Sequence, residues 1–138
     1  MSDFEAGKAP WNKYKAEIVT VEIGKDITSI GSFSFYRCNN LKTVIFAEGS
    51  AIASINKGAF GYTGLEEIVI PASVKKLDRY SFYYSEQLHT VTFADGSQLE
   101  SIDAYAFRNT TALEAVNGIP ADAVVDSNAF YKSAFVIA

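Results

Sequence analysis

The sequence predicts an α/β-type solenoid, a right-handed coil of about five repeats of 22–25 residues with short parallel strands and short helical or 3-10 turns. Two motifs predict it, because each returns five times along the 138-residue chain. The repeat length also predicts it. A unit of about 23 residues cannot bury its own apolar face, whereas stacked units cover one another.

The first motif is an apolar residue, two free positions, a second apolar residue, one free position and a third apolar residue. The units open at Ile18, Leu41, Leu65, Leu88 and Leu113. Successive openings are 23, 24, 23 and 25 residues apart, and a partial sixth unit begins at Phe135. The stretch TVIF at 43–46 is β-branched or aromatic throughout, which favours a strand. Strands of successive coils must run parallel, with right-handed crossovers.

Residues 1–17 precede the first unit, so the predicted organisation is a lead-in at 1–17 and repeats at 18–138. A solenoid needs its terminal core covered. We expect Phe4, Trp11 and Tyr14 to cover the first coil.

The second motif is an aliphatic residue five positions before a phenylalanine, in every unit. The five phenylalanines are Phe35, Phe60, Phe82, Phe107 and Phe130. A small residue precedes each one, and another small residue follows three positions later. We expect each phenylalanine to fill the core. The segments 57–60 and 104–107 are too short for a stable α-helix, so one turn of helix or 3-10 helix is expected there.

Three segments carry a resemblance to a known family: ITSIG at 27–31, LEEIVIP at 65–71, and Cys38 three residues before Leu41. They resemble the BspA-type leucine-rich repeat family, also called the Treponema pallidum type. The resemblance implies a repeat solenoid. It also implies a secreted or surface-anchored protein linked to adhesion, as is usual in that family.

Composition excludes several classes. The net charge of −4, with no basic cluster, argues against nucleic-acid binding. No apolar run reaches the roughly 20 residues of a membrane-spanning helix, so no membrane insertion is expected. The first residues show neither a basic nor an apolar segment, so no signal peptide is recognised.

The residues that catalysis or metal binding would use are isolated. Cys38 occupies a slot filled elsewhere by serine or threonine, which indicates a packing role. His89 is the only histidine, and the acidic residues form no close pair. The sequence therefore predicts no enzyme, no cofactor and no metal site.

Two surfaces are candidates for binding a partner. The first, here called the strand face, consists of the outward positions of the strands: Thr20, Glu22, Thr43, Ile45, Glu67, Val69, Thr90, Thr92, Ala115 and Asn117. The second, here called the tyrosine row, follows the core phenylalanines: Tyr36, Arg37, Gly61, Tyr62, Tyr83, Tyr84, Arg108, Asn109, Tyr131 and Lys132. Extended solenoid surfaces bind partners, and Tyr and Arg are common at binding hot spots.

These observations predict a non-catalytic repeat module that recognises a protein or a glycan, such as host extracellular matrix or mucin. The resemblance implies an extracellular or cell-surface location. A structural spacer within a larger surface protein is the alternative. The apolar end at 134–138 indicates either a longer array or self-association.

Overall fold

The computed structural model describes residues 1–137, which form a parallel-strand β-solenoid of about five turns. Each coil contributes one longer and one two-residue strand. The longer strands are β1 (Thr20–Ile23), β3 (Thr43–Phe46), β5 (Glu67–Ile70), β7 (Thr90–Phe93) and β9 (Ala115–Asn117). The short strands are β2 (Ser29–Ile30), β4 (Ser54–Ile55), β6 (Lys76–Leu77), β8 (Ser101–Ile102) and β10 (Val124–Val125).

All strand pairs are parallel, as predicted. The short strands form one continuous sheet in the order β10-β8-β6-β4-β2. The longer strands form two separate sheets, β1-β3 and β5-β7-β9. The right-handed course of the coil stays a prediction.

Side chains alternate along the longer strands because successive residues of a strand point to opposite sides. In β5, Ile68 and Ile70 are buried whereas Glu67 and Val69 are exposed. In β5 the inward and outward positions are therefore those predicted from the sequence.

A stack of aromatic rings runs through the core, one ring from each coil. The rings of Phe35, Phe60, Phe82 and Phe107 lie 5.5, 5.5 and 5.0 Å apart between successive centroids. Phe130 continues the stack at 5.1 Å from Phe107. The small residues that precede these phenylalanines are buried.

The predicted helical turns are not confirmed. At 57–60 and 104–107 the structure has hydrogen-bonded turns, and Tyr105 has a left-handed φ of 62° that interrupts any right-handed helix. Phe60 and Phe107 donate their amides to carbonyls of the next coil at 2.7 and 2.8 Å. These amides are therefore unavailable for helical bonds. Within residues 1–137 the 3-10 helix Asn12–Tyr14 is the only helix, so the fold is a β-solenoid rather than an α/β one.

The lead-in contacts the first coil through Trp11. Its ring stacks on Phe35 at 5.5 Å, and its Nε1 donates a hydrogen bond to the Ser34 carbonyl at 2.7 Å. Phe4 packs edge-on against Trp11 at 5.6 Å, whereas Tyr14 is 53% exposed and covers little. The boundary between residues 17 and 18 stays a prediction. Ala138, the last residue of the predicted sixth unit, lies outside the described residues.

Candidate partner-binding face

The outward side chains of the strand face form rows across neighbouring strands. Register places Glu22 beside Ile45, and Val69 beside Thr92. Ile45 and Val69 are 47% and 60% exposed, so two large aliphatic side chains of this face lie in solvent. Of the remaining predicted residues, the following are exposed: Thr20, Glu22, Thr43, Glu67 and Asn117. Thr90, Thr92 and Ala115 are half-buried.

The strand face is interrupted between β3 and β5. Within residues 1–137, no main-chain hydrogen bond joins these two strands, although they belong to successive coils. Thr43 and Ala47 donate their amides to β1-side carbonyls at 3.3 and 3.0 Å. Because main-chain groups of alternate residues point to opposite sides of a strand, Val44 and Phe46 direct theirs toward β5.

A shortened turn is one cause of the interruption. The next unit opens three positions after the second small residue of a coil at Cys38–Leu41 and Ser85–Leu88, but only two positions after it at Thr63–Leu65. The turn closes through the buried Gly64, where an added Cβ would clash with the main-chain carbonyl oxygen of Asn39 in the preceding coil. Because one residue is missing here, the chain reaches β5 early, and β5 is displaced from the position in which it would pair with β3.

Pro71 is a second cause. In other coils, the residue directly after a longer strand donates its amide to a carbonyl of the preceding coil. Ala47 donates to the Ile23 carbonyl and Ala94 to the Ile70 carbonyl, each at 3.0 Å. Pro71 occupies this position after β5 and has no amide hydrogen. The last bond between β5 and β3 therefore cannot form.

The interruption leaves a groove of about 600 Å³ on the strand face. Its walls are mostly apolar and include Ile45, Phe46, Val69 and Pro71. Glu67 is the charged side chain in the lining. The groove thus combines apolar surface, free main-chain groups and one negative charge.

A smaller dent of about 240 Å³ lies at the shortened turn itself, lined in part by Gly64 and Tyr84. Lys42 of the second unit reaches past Gly64 here and donates from Nζ to Gln87 Oε1 at 2.7 Å. The same Nζ lies 3.8 Å from Glu66 Oε1. Because Gly64 has no side chain, Lys42 can reach Gln87, the last residue of the third unit.

The tyrosine row is a packed aromatic surface. Tyr62 stacks on Tyr84 at 4.9 Å, and Tyr83 packs edge-on against Tyr84 at 4.6 Å. The Arg37 guanidinium lies 4.5 Å from the centroid of the Tyr62 ring. Burial raises the pKa of Tyr62.

The side chains of the tyrosine row therefore pack mainly against one another. Tyr36 packs edge-on against Tyr62 at 5.6 Å, and both are half-buried. Tyr131 is 44% exposed and is the most open of the predicted tyrosines.

The isolated chemical candidates stay isolated in the fold. Cys38 is 1% exposed, and burial raises the pKa of its thiol to about 11, which keeps it protonated and poorly nucleophilic at neutral pH. Residues 1–137 bring together no group of three His, Cys, Asp or Glu side chains suited to a metal ion. No helix in the described chain has the length and apolar character needed to cross a membrane.

Sequence reasoning identified the residues of the strand face but missed the groove. Two signals mark it: the two-residue spacing from Thr63 to Leu65, and Pro71 at a position that needs an amide donor. Each is visible only when the five units are aligned position by position.

Comparison with known proteins identifies relatives. A family model described as BspA type leucine-rich repeat region matches residues 12–136 in six copies. The crystal structure of the pneumococcal vaccine antigen PcpA is similar at 28% identity and a TM-score of 0.69, covering 83% of this chain and 28% of that chain. A leucine-rich repeat protein from Eubacterium ventriosum is similar at 17% identity and a TM-score of 0.49, covering 95% of this chain and 57% of that one. No curated protein matches.

Proposed function

Because the chain belongs to the BspA-type leucine-rich repeat family, we propose that it is a non-catalytic recognition module whose strand face binds a partner at a bacterial cell surface. The likeness to a pneumococcal vaccine antigen supports a surface role. This chain spans less than a third of that antigen, so the role proposed here is that of the repeat module.

The observation that carries the proposal is the pair of exposed aliphatic side chains beside the groove. Ile45 and Val69 are 47% and 60% exposed, and both line it. Covering apolar surface contributes about 25 cal/mol per Å², so a partner that covers these side chains gains affinity from them. An apolar, weakly charged face suits a protein better than a glycan, because sugar hydroxyls need polar partners.

The test is binding of purified host matrix proteins and mucin to Ile45→Arg and Val69→Arg variants, measured by surface plasmon resonance. The matched control is Val124→Arg, because Val124 is 70% exposed but lies on the sheet of short strands. We expect about a tenfold or larger loss of affinity for the first two variants and none for the control, with unchanged melting temperatures. Equal affinity for all variants would contradict the proposal.

A structural spacer is the second candidate, and the uninterrupted stack of rings from Trp11 to Phe130 favours it. Such a stack couples each coil to its neighbours and gives a stiff rod. A spacer binds neither matrix proteins nor mucin, so the wild-type protein alone distinguishes the two functions.

The tyrosine row is the other candidate binding surface within the recognition role. Tyr131→Ala is the suitable variant, because Tyr131 is 44% exposed and its removal disturbs packing least. A loss of partner binding in Tyr131→Ala, with the two arginine variants binding normally, would move the site from the strand face to the tyrosine row.

A further inference from the structure

We propose that the groove between β3 and β5 is a strand-addition site, which binds an extended segment of a partner protein through its main chain. The inference rests on the proposed function of the strand face and specifies what that face recognises. It predicts that the partner segment carries a basic residue and completes the interrupted sheet.

The free main-chain groups of the two facing edges are the first support. Val44 and Phe46 of β3 direct their amides and carbonyls into the groove, since Thr43 and Ala47 bond on the β1 side. On β5, Ile70 accepts from the coil after it, so Glu67 and Val69 face the groove. Unpaired edges of this kind are templates for an added strand.

The position of the gap is the second support. The other neighbouring longer strands are all bonded: β1 to β3, β5 to β7 and β7 to β9. The gap therefore lies inside the coil, where both edges are held in place. Short strands β4 and β6 remain paired behind it, and Phe60 remains stacked on Phe82 at 5.5 Å. Insertion of a segment therefore requires β3 and β5 to separate while the short strands behind them stay paired.

The side-chain lining specifies the segment. An extended segment places alternate side chains on the two faces of the sheet. One set would contact the inward-pointing Phe46, which favours apolar residues. The other set would lie outward between Ile45 and Val69. Glu67 is the charged group of the lining and has no ion-pair partner among residues 1–137, so a lysine or arginine in the outward set complements it.

The length of the edges limits the segment. β3 and β5 have four residues each, which span about 13 Å at 3.3 Å per residue. Complete insertion requires about twice the usual strand spacing of 4.8 Å between β3 and β5. The length of the edges therefore matches a segment of about four to six extended residues.

The experiment compares the wild-type protein with a repaired variant in which the two causes of the gap are removed. The repaired variant carries two changes. One asparagine inserted after Gly64 restores the spacing of the other units, and Pro71→Ala restores the missing amide donor. The matched control is Pro120→Ala, because Pro120 lies three residues after the end of β9, and that strand is already paired with β7. Pro71→Ala alone serves as a second test if the insertion prevents folding.

The probe is a random-peptide display library selected on the wild-type protein. We expect selected peptides with alternating apolar residues and at least one Lys or Arg. Their affinity should fall about tenfold or more for the repaired variant or for Pro71→Ala, and stay unchanged for Pro120→Ala. Methylating alternate peptide amides should abolish binding, and the bound peptide should slow amide exchange at Val44, Phe46, Glu67 and Val69.

Peptides that bind the repaired variant as tightly as the wild type, or that tolerate amide methylation, would overturn strand addition. So would a selection that yields no peptide with these properties. The outcomes separate this inference from the proposed function. If Ile45→Arg or Val69→Arg abolishes binding to matrix proteins or mucin while the repaired variant still binds them normally, the strand face binds its partner through side chains alone.

Discussion

Replacing Phe82 by alanine should be among the most destabilising single changes in this chain. Phe82 is fully buried and stacks on both sides, with its centroid 5.5 Å from that of Phe60 and 5.0 Å from that of Phe107. Large-to-small changes at such sites cost about 3–5 kcal/mol, because apolar burial is lost and a cavity remains. A chain of this length has about 7–20 kcal/mol of stability in total, so the variant should still fold.

The melting temperature should fall by about 9–15 °C, which circular dichroism measures directly. The matched control is Phe130→Ala. Phe130 is half-buried, stacks on Phe107 and meets the tilted ring of Phe135 at 4.9 Å, so we expect a cost of about 1–3 kcal/mol. Equal losses at Phe82 and Phe130, or a loss below about 1 kcal/mol at Phe82, would refute the reasoning that the stacked rings stabilise the coil.

Three further predictions concern side chains in the core and the lead-in. Ser81→Ala should raise the free energy of unfolding by about 1–2 kcal/mol in urea titrations, because the buried Ser81 hydroxyl has no partner among residues 1–137 and alanine fills the same slot in three other coils. Cys38 should react with iodoacetamide in the native protein only as the pH approaches about 11, the raised pKa of its thiol. Trp11→Ala should cost about 2–4 kcal/mol on thermal unfolding, because it removes both a half-buried ring stacked on Phe35 and a hydrogen bond to Ser34.

Opposite results have clear meanings for these variants. Destabilisation by Ser81→Ala would show that its hydroxyl has a partner after all. Rapid alkylation of Cys38 at pH 7 would show that the coil around it opens. A Trp11→Ala variant with wild-type stability would show that the lead-in does not cover the core.

The pH dependence of stability follows from the sign of the Cys38 shift. A thiol whose folded pKa is raised from 9.0 to about 11 stays protonated in the folded state after the unfolded chain has ionised. Stability should therefore be lost as the pH rises from about 9 to 11. Cys38→Ser should remove this part of the pH dependence.

The sequence predicts most of the fold because each coil repeats the same two requirements. An inward aliphatic or aromatic residue every second position sets the strands, and one phenylalanine per coil sets the stack of rings. The local geometry around those phenylalanines was not predictable from helix propensity. There, alternate amides bond to the next coil, as at Phe60 and Phe107, and this bonding excludes a helical turn.

The candidate site was only half predictable. Ile45 and Val69 are outward on strands by simple alternation, so the sequence places them on the surface. The groove between them depends on a difference between units, namely one residue missing near Gly64 and an absent amide at Pro71. A repeat pattern describes what the units share, so it conceals a feature that arises where one unit departs from the others.

Residue-resolved amide exchange of the free protein, measured by NMR, tests the interrupted sheet most directly. Ile45 bonds toward β1 and should be protected, whereas Val44 and Phe46 should exchange about a hundredfold faster. In β7, which is paired on both sides, neighbouring residues Val91 and Thr92 should both be protected. Equal protection of Val44, Ile45 and Phe46 would mean that β3 and β5 are bonded, and the proposed strand-addition site would not exist.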